Sequence, residues 1–250
     1  LREYAREHLD PKEQAALKER HARHYAVLVE QAKGSLRHGP DRKLWQDRLD
    51  ADYDNLRAAL AWCKSAEDGA PLGLRMGAGL FPFWIQRRYP SEGRTHLAEL
   101  LAREESAGNT LERAEALEAA GLLAVRQDDY AAARALYEEA LAVSSEMGNH
   151  DEMATVLSEL ARLAQAVYDL VGARGFAERS LAIRRELGEE EQTSDSLLQL
   201  GWLAWQQSDY QAAREFHTQA LALRRGMGIG NKVGVSLCSL GFVAREQARY

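Results

Sequence analysis

Cysteine is nearly absent from this 250-residue chain: Cys63 and Cys238 are too few for a disulfide framework and too far apart for metal-ligand spacing. A reducing, cytoplasmic setting is the expectation. Proline is almost as scarce, and all five prolines lie at or before Pro90, so nothing beyond that point interrupts a helix. No apolar run approaches the roughly 18 residues of a membrane span, and the N-terminus has no charged-then-apolar signal pattern. Neither sign of charge dominates. The 32 Lys and Arg against 38 Asp and Glu leave a formal charge of -6, interleaved along the chain, which argues against this segment coating nucleic acid.

What is abundant is alanine, leucine, glutamate and arginine, all strong helix formers, and they recur. Gly121, Ala161, Gly201 and Gly241 stand at one fixed interval, and their surroundings repeat with them. The copies are GLLAVRQDDYAAARALYEEAL, ARLAQAVYDLVGARGFAERSL, GWLAWQQSDYQAAREFHTQAL and, from Gly241, GFVAREQARY. Leu117, Leu157, Leu197 and Leu237 recur ahead of the small residue, and Ala124, Ala164, Ala204 and Ala244 recur after it. Together they form a narrow apolar stripe at helical spacing. Asp129, Asp169 and Asp209 stand where a second helix should start, since a carboxylate accepts the unpaired amides of a first turn. Ala133, Ala173 and Ala213 keep that second helix slim towards the first. Gly148, Gly188 and Gly228 close it, because glycine adopts the left-handed C-cap conformation without steric cost. Each unit is therefore helix, tight turn, helix, cap.

Over residues 114–250 this pattern resembles the tetratricopeptide repeat. The resemblance implies an all-α, right-handed superhelical solenoid of antiparallel helix pairs. Two features depart from it: the unit has 40 residues instead of about 34, and the closing proline is missing. Six extra residues correspond to about one and a half turns, expected in the second helix.

The stretch 1–110 is organised differently. Residues 1–9 and 12–33 carry charged amphipathic helical patterns separated at Asp10-Pro11, SLRHGP ending at Pro40 reads as a turn, and residues 42–65 read as one long helix with Trp45, Leu49, Leu56, Leu60 and Trp62. Further helices are expected over about 71–87 and from Ser91 to about Arg103. In the last of these Gly93, Arg94, Leu101 and Ala102 stand one period before Ala133, Arg134, Leu141 and Ala142, so the repeat reaches one degenerate unit further back. The expected divisions are 1–40, a helical segment after a missing upstream module; 41–110, an irregular helical arm with degenerate repeats; and 111–250, repeats at 111–150, 151–190, 191–230 and a partial 231–250.

LDADYDNLRAALAWCKSAEDG, followed by LRMGAGLFPFWIQRRYPSEGRTHLAELLA, is similar to the early helical region of large bacterial signal-transduction ATPases, including actinobacterial antibiotic regulators and their LuxR-type and winged-helix relatives. LREYAREHL and ERHARHYAVLVEQA resemble the segment that follows the nucleotide-binding module there. The resemblance covers residues 1–104. It implies an effector, a P-loop ATPase, this helical arm and a tetratricopeptide sensor in one polypeptide, with this chain starting after the ATPase. Leu1 instead of methionine, and an end inside a repeat at Tyr250, suggest a fragment. Its last helix would then expose Leu237, Leu240, Phe242 and Val243, favouring self-association through that end, or disorder there.

Signatures of an enzyme are weak, and neither cofactor nor catalytic residue is expected. GMGIGNK, Gly226–Lys232, lacks the glycine directly before the lysine that a phosphate loop needs, and Gly228 already serves as a cap. His21 and His24 lie one turn apart with no further ligand at suitable spacing, a solvated helix face. GEEEQ from Gly188 reads as a charged loop between repeats. Arg94, Arg134, Arg174 and Arg214 form a column on the second helices, suited to pairing with acidic neighbours between repeats.

Function then falls to the stripe beside the buried one on the first helices: Glu118, Leu122 and Val125; Ser158, Arg162 and Gln165; Leu198, Trp202 and Trp205; Cys238, Phe242 and Arg245. Trp202 and Trp205, flanked by Gln206 and expected to face Arg162 and Arg245, break the repeat. Aromatic and guanidinium groups together hold apolar side chains and carboxylates. The competing reading is that Trp202 fills space between first helices. The expected partner-binding set is Arg162, Gln165, Leu198, Trp202, Trp205, Gln206, Phe242 and Arg245, receiving a peptide, protein or small-molecule effector. Two functions fit: the sensor region of a bacterial transcriptional regulator, or a freestanding interaction scaffold.

Overall fold

The computed structural model describes residues 10–248; the helical pattern expected over residues 1–9 and the terminal Tyr250 lie outside them. Among the described residues the regular structure is twelve α-helices and one short 3-10 turn, with no strand. The chain forms two compact units, residues 1–143 and 144–250.

In the first unit Asp10 caps α1 (Pro11–His38), its carboxylate accepting the Lys12 amide at 3.4 Å while Pro11 supplies a pre-set φ. The helix continues through Ser35–His38, so the turn expected over SLRHGP shrinks to the residues around Gly39 and Pro40. The single helix expected over 42–65 is two, α2 (Arg42–Ala51) and α3 (Tyr53–Ser65). They part at Asp52 (φ -101°, ψ 10°), whose carboxylate accepts the Tyr25 hydroxyl at 3.0 Å and the Asn55 side-chain amide at 3.2 Å. Those bonds tie the break to α1. Next come α4 (Ala70–Gln86), α5 (Pro90–Leu101) and α6 (Leu111–Val125). Leu36, Leu49, Leu56, Leu60, Phe83, Trp84, Leu97 and Leu100 form the fully buried centre, and Trp84 donates its indole N–H to the Tyr53 hydroxyl at 3.0 Å. Helix α7 (Tyr130–Glu146) carries the chain from the first unit into the second.

The second unit holds α8 (His150–Ala166), α9 (Leu170–Glu186), α10 (Glu190–Gln206), α11 (Tyr210–Gly226) and α12 (Gly230–Gln247). From α8 to α11 every helix is 17 residues long and every turn has three, which fills the period of the sequence. The two helices of a unit are therefore equally long; the extension expected in the second helix alone is shared by both.

The turns explain why the period is strict. Asp129, Asp169 and Asp209 accept the amides of Ala132, Gly172 and Ala212 at 3.2, 2.9 and 3.1 Å, as N-caps should. Gly148, Gly188 and Gly228 have φ of 66°, 71° and 70°, the left-handed C-cap region. The turns inside each unit use the same conformation without glycine: Asp128, Tyr168 and Ser208 have φ of 58°, 60° and 62°, and Arg88, one period earlier, 63°. In each turn the next amide reaches back to a carbonyl five positions earlier, as in Asp169 to Ala164 and Asp209 to Ala204, both 2.9 Å. Arg88, between α4 and α5, falls on the same schedule.

Side chains at the crossing of paired helices are matched in size. An added Cβ on Gly121 would strike the Tyr137 ring, and one on Gly201 would strike the His217 ring; between them in sequence, Ala161 and Ala177 make a slim pair in one cluster. Two buried arginines, one period apart, are a feature that the sequence reading passes over. Arg224 of α11 donates to Ser194 on α10 (3.0 Å) and to the Ser236 hydroxyl (3.0 Å) and Lys232 carbonyl (3.1 Å) on α12, and pairs with Asp195 at 2.5 Å. Arg184 of α9 likewise meets Thr155, Asp151 and Glu189. Each clamps a second helix to its neighbours. Their signal in the chain is the repeated RR of LAIRRELG and LALRRGMG.

Candidate binding surface

The eight residues expected to bind a partner lie on α8, α10 and α12, all in the second unit. Trp202 and Trp205, one turn apart on α10, meet edge to face with ring centroids 5.9 Å apart. Both are half-buried. Trp202 also meets the His217 ring below it (5.5 Å) and Phe242 of α12 beside it (6.1 Å), and the Arg245 guanidinium lies 5.3 Å over Phe242. Arg245 additionally pairs with Glu246 at 3.1 Å. A continuous strip results: Trp205, Trp202, Phe242, Arg245. On its other flank Gln165 of α8 donates to the Gln206 side-chain oxygen at 2.7 Å, joining two more of the expected residues.

Two members of the set fall elsewhere. Leu198 is buried in the core cluster that includes Leu197 and Leu200, so it supports the helix pair instead of lining a surface. Arg162 pairs with Glu159 one turn earlier and makes no described contact with the tryptophans. Similarly Glu118, expected on the same stripe, is buried in the first unit, with Arg37 at 3.9 Å. The space-filling reading of Trp202 has its own support, since that ring does bridge α10 and α12. Part of it nevertheless stays open.

His217 is the residue that sequence reasoning missed. It is fully buried beneath Trp202, and neither ring nitrogen has a hydrogen-bond partner. Burial, helped by the charge of Arg224, pushes its pKa down to about 4, so the imidazole is neutral at pH 7. The Trp205 indole nitrogen is likewise buried without a partner. The hint was its place in the period, where Tyr137 and Ala177 stand in the other copies, opposite Gly121 and Ala161.

On α12, Leu237 and Phe242 are 47% and 44% exposed, whereas Leu197, the equivalent of Leu237, is 1% exposed. Val243 is buried and Leu240 half-buried, which corrects the expectation that all four would be open. The remaining sequence candidates serve the scaffold. Lys232, at the end of the glycine-rich run, pairs with Glu191 and Asp195 at 2.8 and 3.0 Å. Glu190–Gln192 form the first turn of α10, not a loop. Of the arginine column, Arg94 pairs with Asp129 one repeat on, as expected, whereas Arg134 and Arg174 pair with Glu138 and Glu178 one turn along their own helices, where an i,i+4 carboxylate is nearer than the next repeat. His21 and His24 lie against the Tyr25 ring at 4.8 and 5.1 Å, and among the described residues no group of three side chains is placed to hold a metal ion.

The tetratricopeptide repeat family matches residues 152–226, the stretch from α8 to α11. Among solved structures, BtubC from P. vanneervenii shares the fold with a TM-score of 0.65 at 19% identity, covering 84% of this chain and 92% of that one. The apo form of RapI gives a TM-score of 0.66 at 12% identity, over 94% of this chain and 72% of that one. A signal transduction ATPase with numerous domains and a tetratricopeptide repeat sensor, from Pyrococcus horikoshii, gives 0.63 at 15% identity; 98% of this chain is covered but only 39% of that one. No curated protein sequence matches. The chain is thus an all-α, tetratricopeptide-like helical repeat suited to binding a protein or peptide, and no enzyme family is indicated. No helix among the described residues is long and apolar enough to cross a membrane.

Proposed function

We propose that this chain is the non-catalytic sensor region of a larger bacterial signal-transducing transcriptional regulator, receiving a peptide, protein or small-molecule effector on the strip formed by Trp205, Trp202, Phe242 and Arg245. That strip carries the proposal: a T-shaped tryptophan pair continued by a cation-bearing phenylalanine, on helices whose other side is fixed by the core. Aromatic anchors beside arginine are the side chains that dominate binding energy at protein interfaces. Gln165 and Gln206 offer amide hydrogen bonds at its edge, and Arg162 lies further out as a charged border. The coverage of almost the whole chain by the fold of a sensor-bearing signal-transduction ATPase supports the larger assignment. In it the residues fall into 1–40, 41–110 and 111–250, with a cytoplasmic location, an ATPase module upstream and the exposed α12 face open to self-association. Effector binding would shift an equilibrium between two packings of the helical arm against that module.

The alternative is a freestanding interaction scaffold. BtubC favours it, because there the same architecture fills 92% of a whole chain. A P-loop encoded upstream supports the regulator, and its absence leaves the scaffold.

A peptide and metabolite screen read by tryptophan fluorescence tests the surface itself. Trp202→Ala is expected to weaken a selected binder by about 2 kcal/mol or more with helix content intact. Unchanged affinity in that variant would remove the surface from consideration.

A further inference from the structure

A concavity lies in the first unit, well away in sequence from the tryptophan strip. It is a cleft of 390 Å³ formed where α1, the α3–α4 turn, the start of α4 and the start of α6 meet. This volume falls at the small end of the range for ligand sites, about 300–1,000 Å³. Its apolar part is the half-buried Trp62 indole with Pro71 and Leu72. Its polar part is unbalanced. Arg23 is bound to Glu19 through two contacts, 2.7 and 2.9 Å, so that pair is neutral. Glu67, Asp68 and Glu112 remain, facing a single further cation, Arg75, and none of these four has an ion-pair partner among the described residues. The N-termini of α4 and α6 each bring roughly half a positive charge, and the C-terminus of α3 beside Ala66 removes about one of those halves. The carboxylates still prevail.

An aromatic face bordered by unpaired carboxylates selects cations, through the ring quadrupole and through charge-assisted hydrogen bonds, and rejects anions of the same size. We infer that this cleft is a binding site for a small organic cation with an apolar body, an aryl- or alkylammonium. The apolar body lies against Trp62 and Leu72, and the ammonium points to Glu112 and Asp68.

Calorimetric titration of the chain with 4-phenylbutylammonium, and with 4-phenylbutanoate as the matched anion, tests this at low ionic strength. The cation is expected to bind saturably and more weakly as salt rises, while the anion gives no saturable heat. Glu112→Gln and Asp68→Asn should each weaken the cation about fivefold, and Trp62→Ala about tenfold. Circular dichroism confirms that each variant folds; the two amide variants keep shape and differ only in charge. Glu178→Gln, which removes a carboxylate from α9 outside the cleft, should leave affinity unchanged. Equal binding of cation and anion overturns the assignment. So does a lack of saturable cation binding at millimolar concentration, an affinity indifferent to the cleft carboxylates, or an equal loss in Glu178→Gln.

Discussion

Residues 150–189 and 190–229 share one backbone plan and differ in what fills it. Both have two 17-residue helices, a left-handed turn residue, a capping aspartate and a closing glycine. At the crossing of the paired helices, however, the first copy uses Ala161 and Ala177, whereas the second uses Gly201 and His217, and the surface positions Arg162 and Gln165 become Trp202 and Trp205. The difference teaches that caps and turns set the repeat, while the pair at the crossing is a free variable constrained only by summed size. In the second copy that freedom places a neutral, unpartnered imidazole directly under the proposed binding tryptophan.

Titrating His217 is the strongest way to break the resemblance between the copies. Its folded pKa of about 4 lies below the unfolded value of about 6.5, so the unfolded chain binds more protons between those limits. Stability contributed by keeping the ring neutral is complete above about pH 6.5 and is lost as pH falls towards 4, about 3 kcal/mol in total for a shift of this size. Urea unfolding across pH 4–7 should show the slope in the native sequence and a shallower one in His217→Ala. The residual slope belongs to His96, whose pKa burial also lowers, and towards pH 4 to Glu92, Glu99 and Glu105, whose carboxyls are held low by Arg57, Lys64 and Arg103. An identical slope in both proteins would show that the imidazole is not held neutral.

Converting one crossing into the other comes next. Gly201→Ala drives a methyl into the His217 ring and should cost about 2 kcal/mol in urea unfolding. Gly201→Ala with His217→Ala recreates the Ala161–Ala177 pair and should recover more than half of that loss, a coupling read directly from the double-mutant cycle. Simple additivity would mean that the two sites do not share one slot. The smallest effect is a control on what the copies have in common: Asp169→Ala and Asp209→Ala should each cost about 1 kcal/mol, and similarly, because each side chain accepts one amide at the start of an equivalent helix.

The scaffold was legible because it depends on residue classes at fixed intervals. Capping aspartates, closing glycines and small residues on the packed face have local physical reasons, and the structure places them as the period predicts from Gly121 to Gly228; in the last copy Gly241 and Ala244 are exposed, because no second helix packs on them among the described residues. Breaks with a tertiary origin were hidden. Nothing in the local pattern of residues 42–65 shows that Asp52 accepts a hydrogen bond from Tyr25, far earlier in the chain. The left-handed turns at Asp128, Tyr168 and Ser208 were hidden for the opposite reason: the conformation recurs while the residue changes, so no recurring letter marks it. Of the candidate surface, the aromatic pair stood out as a departure from the repeat. Leu198 was misplaced because a one-residue shift of a helical stripe turns each side chain by about 100°, enough to exchange solvent for core.

The equal helices and equal turns also fix which changes in length this protein can absorb. An insertion or deletion of a single residue rotates all that follows it in the helix and puts the stripe out of phase. Removing one whole period from the middle of one turn to the middle of the next equivalent turn, for instance between Gly148 and Gly188, rejoins a left-handed glycine to a helix start it already resembles. Gene-level copying or loss of whole units is thereby the mildest edit available to the chain, and the binding strip on α10 and α12 can be carried along intact as cargo.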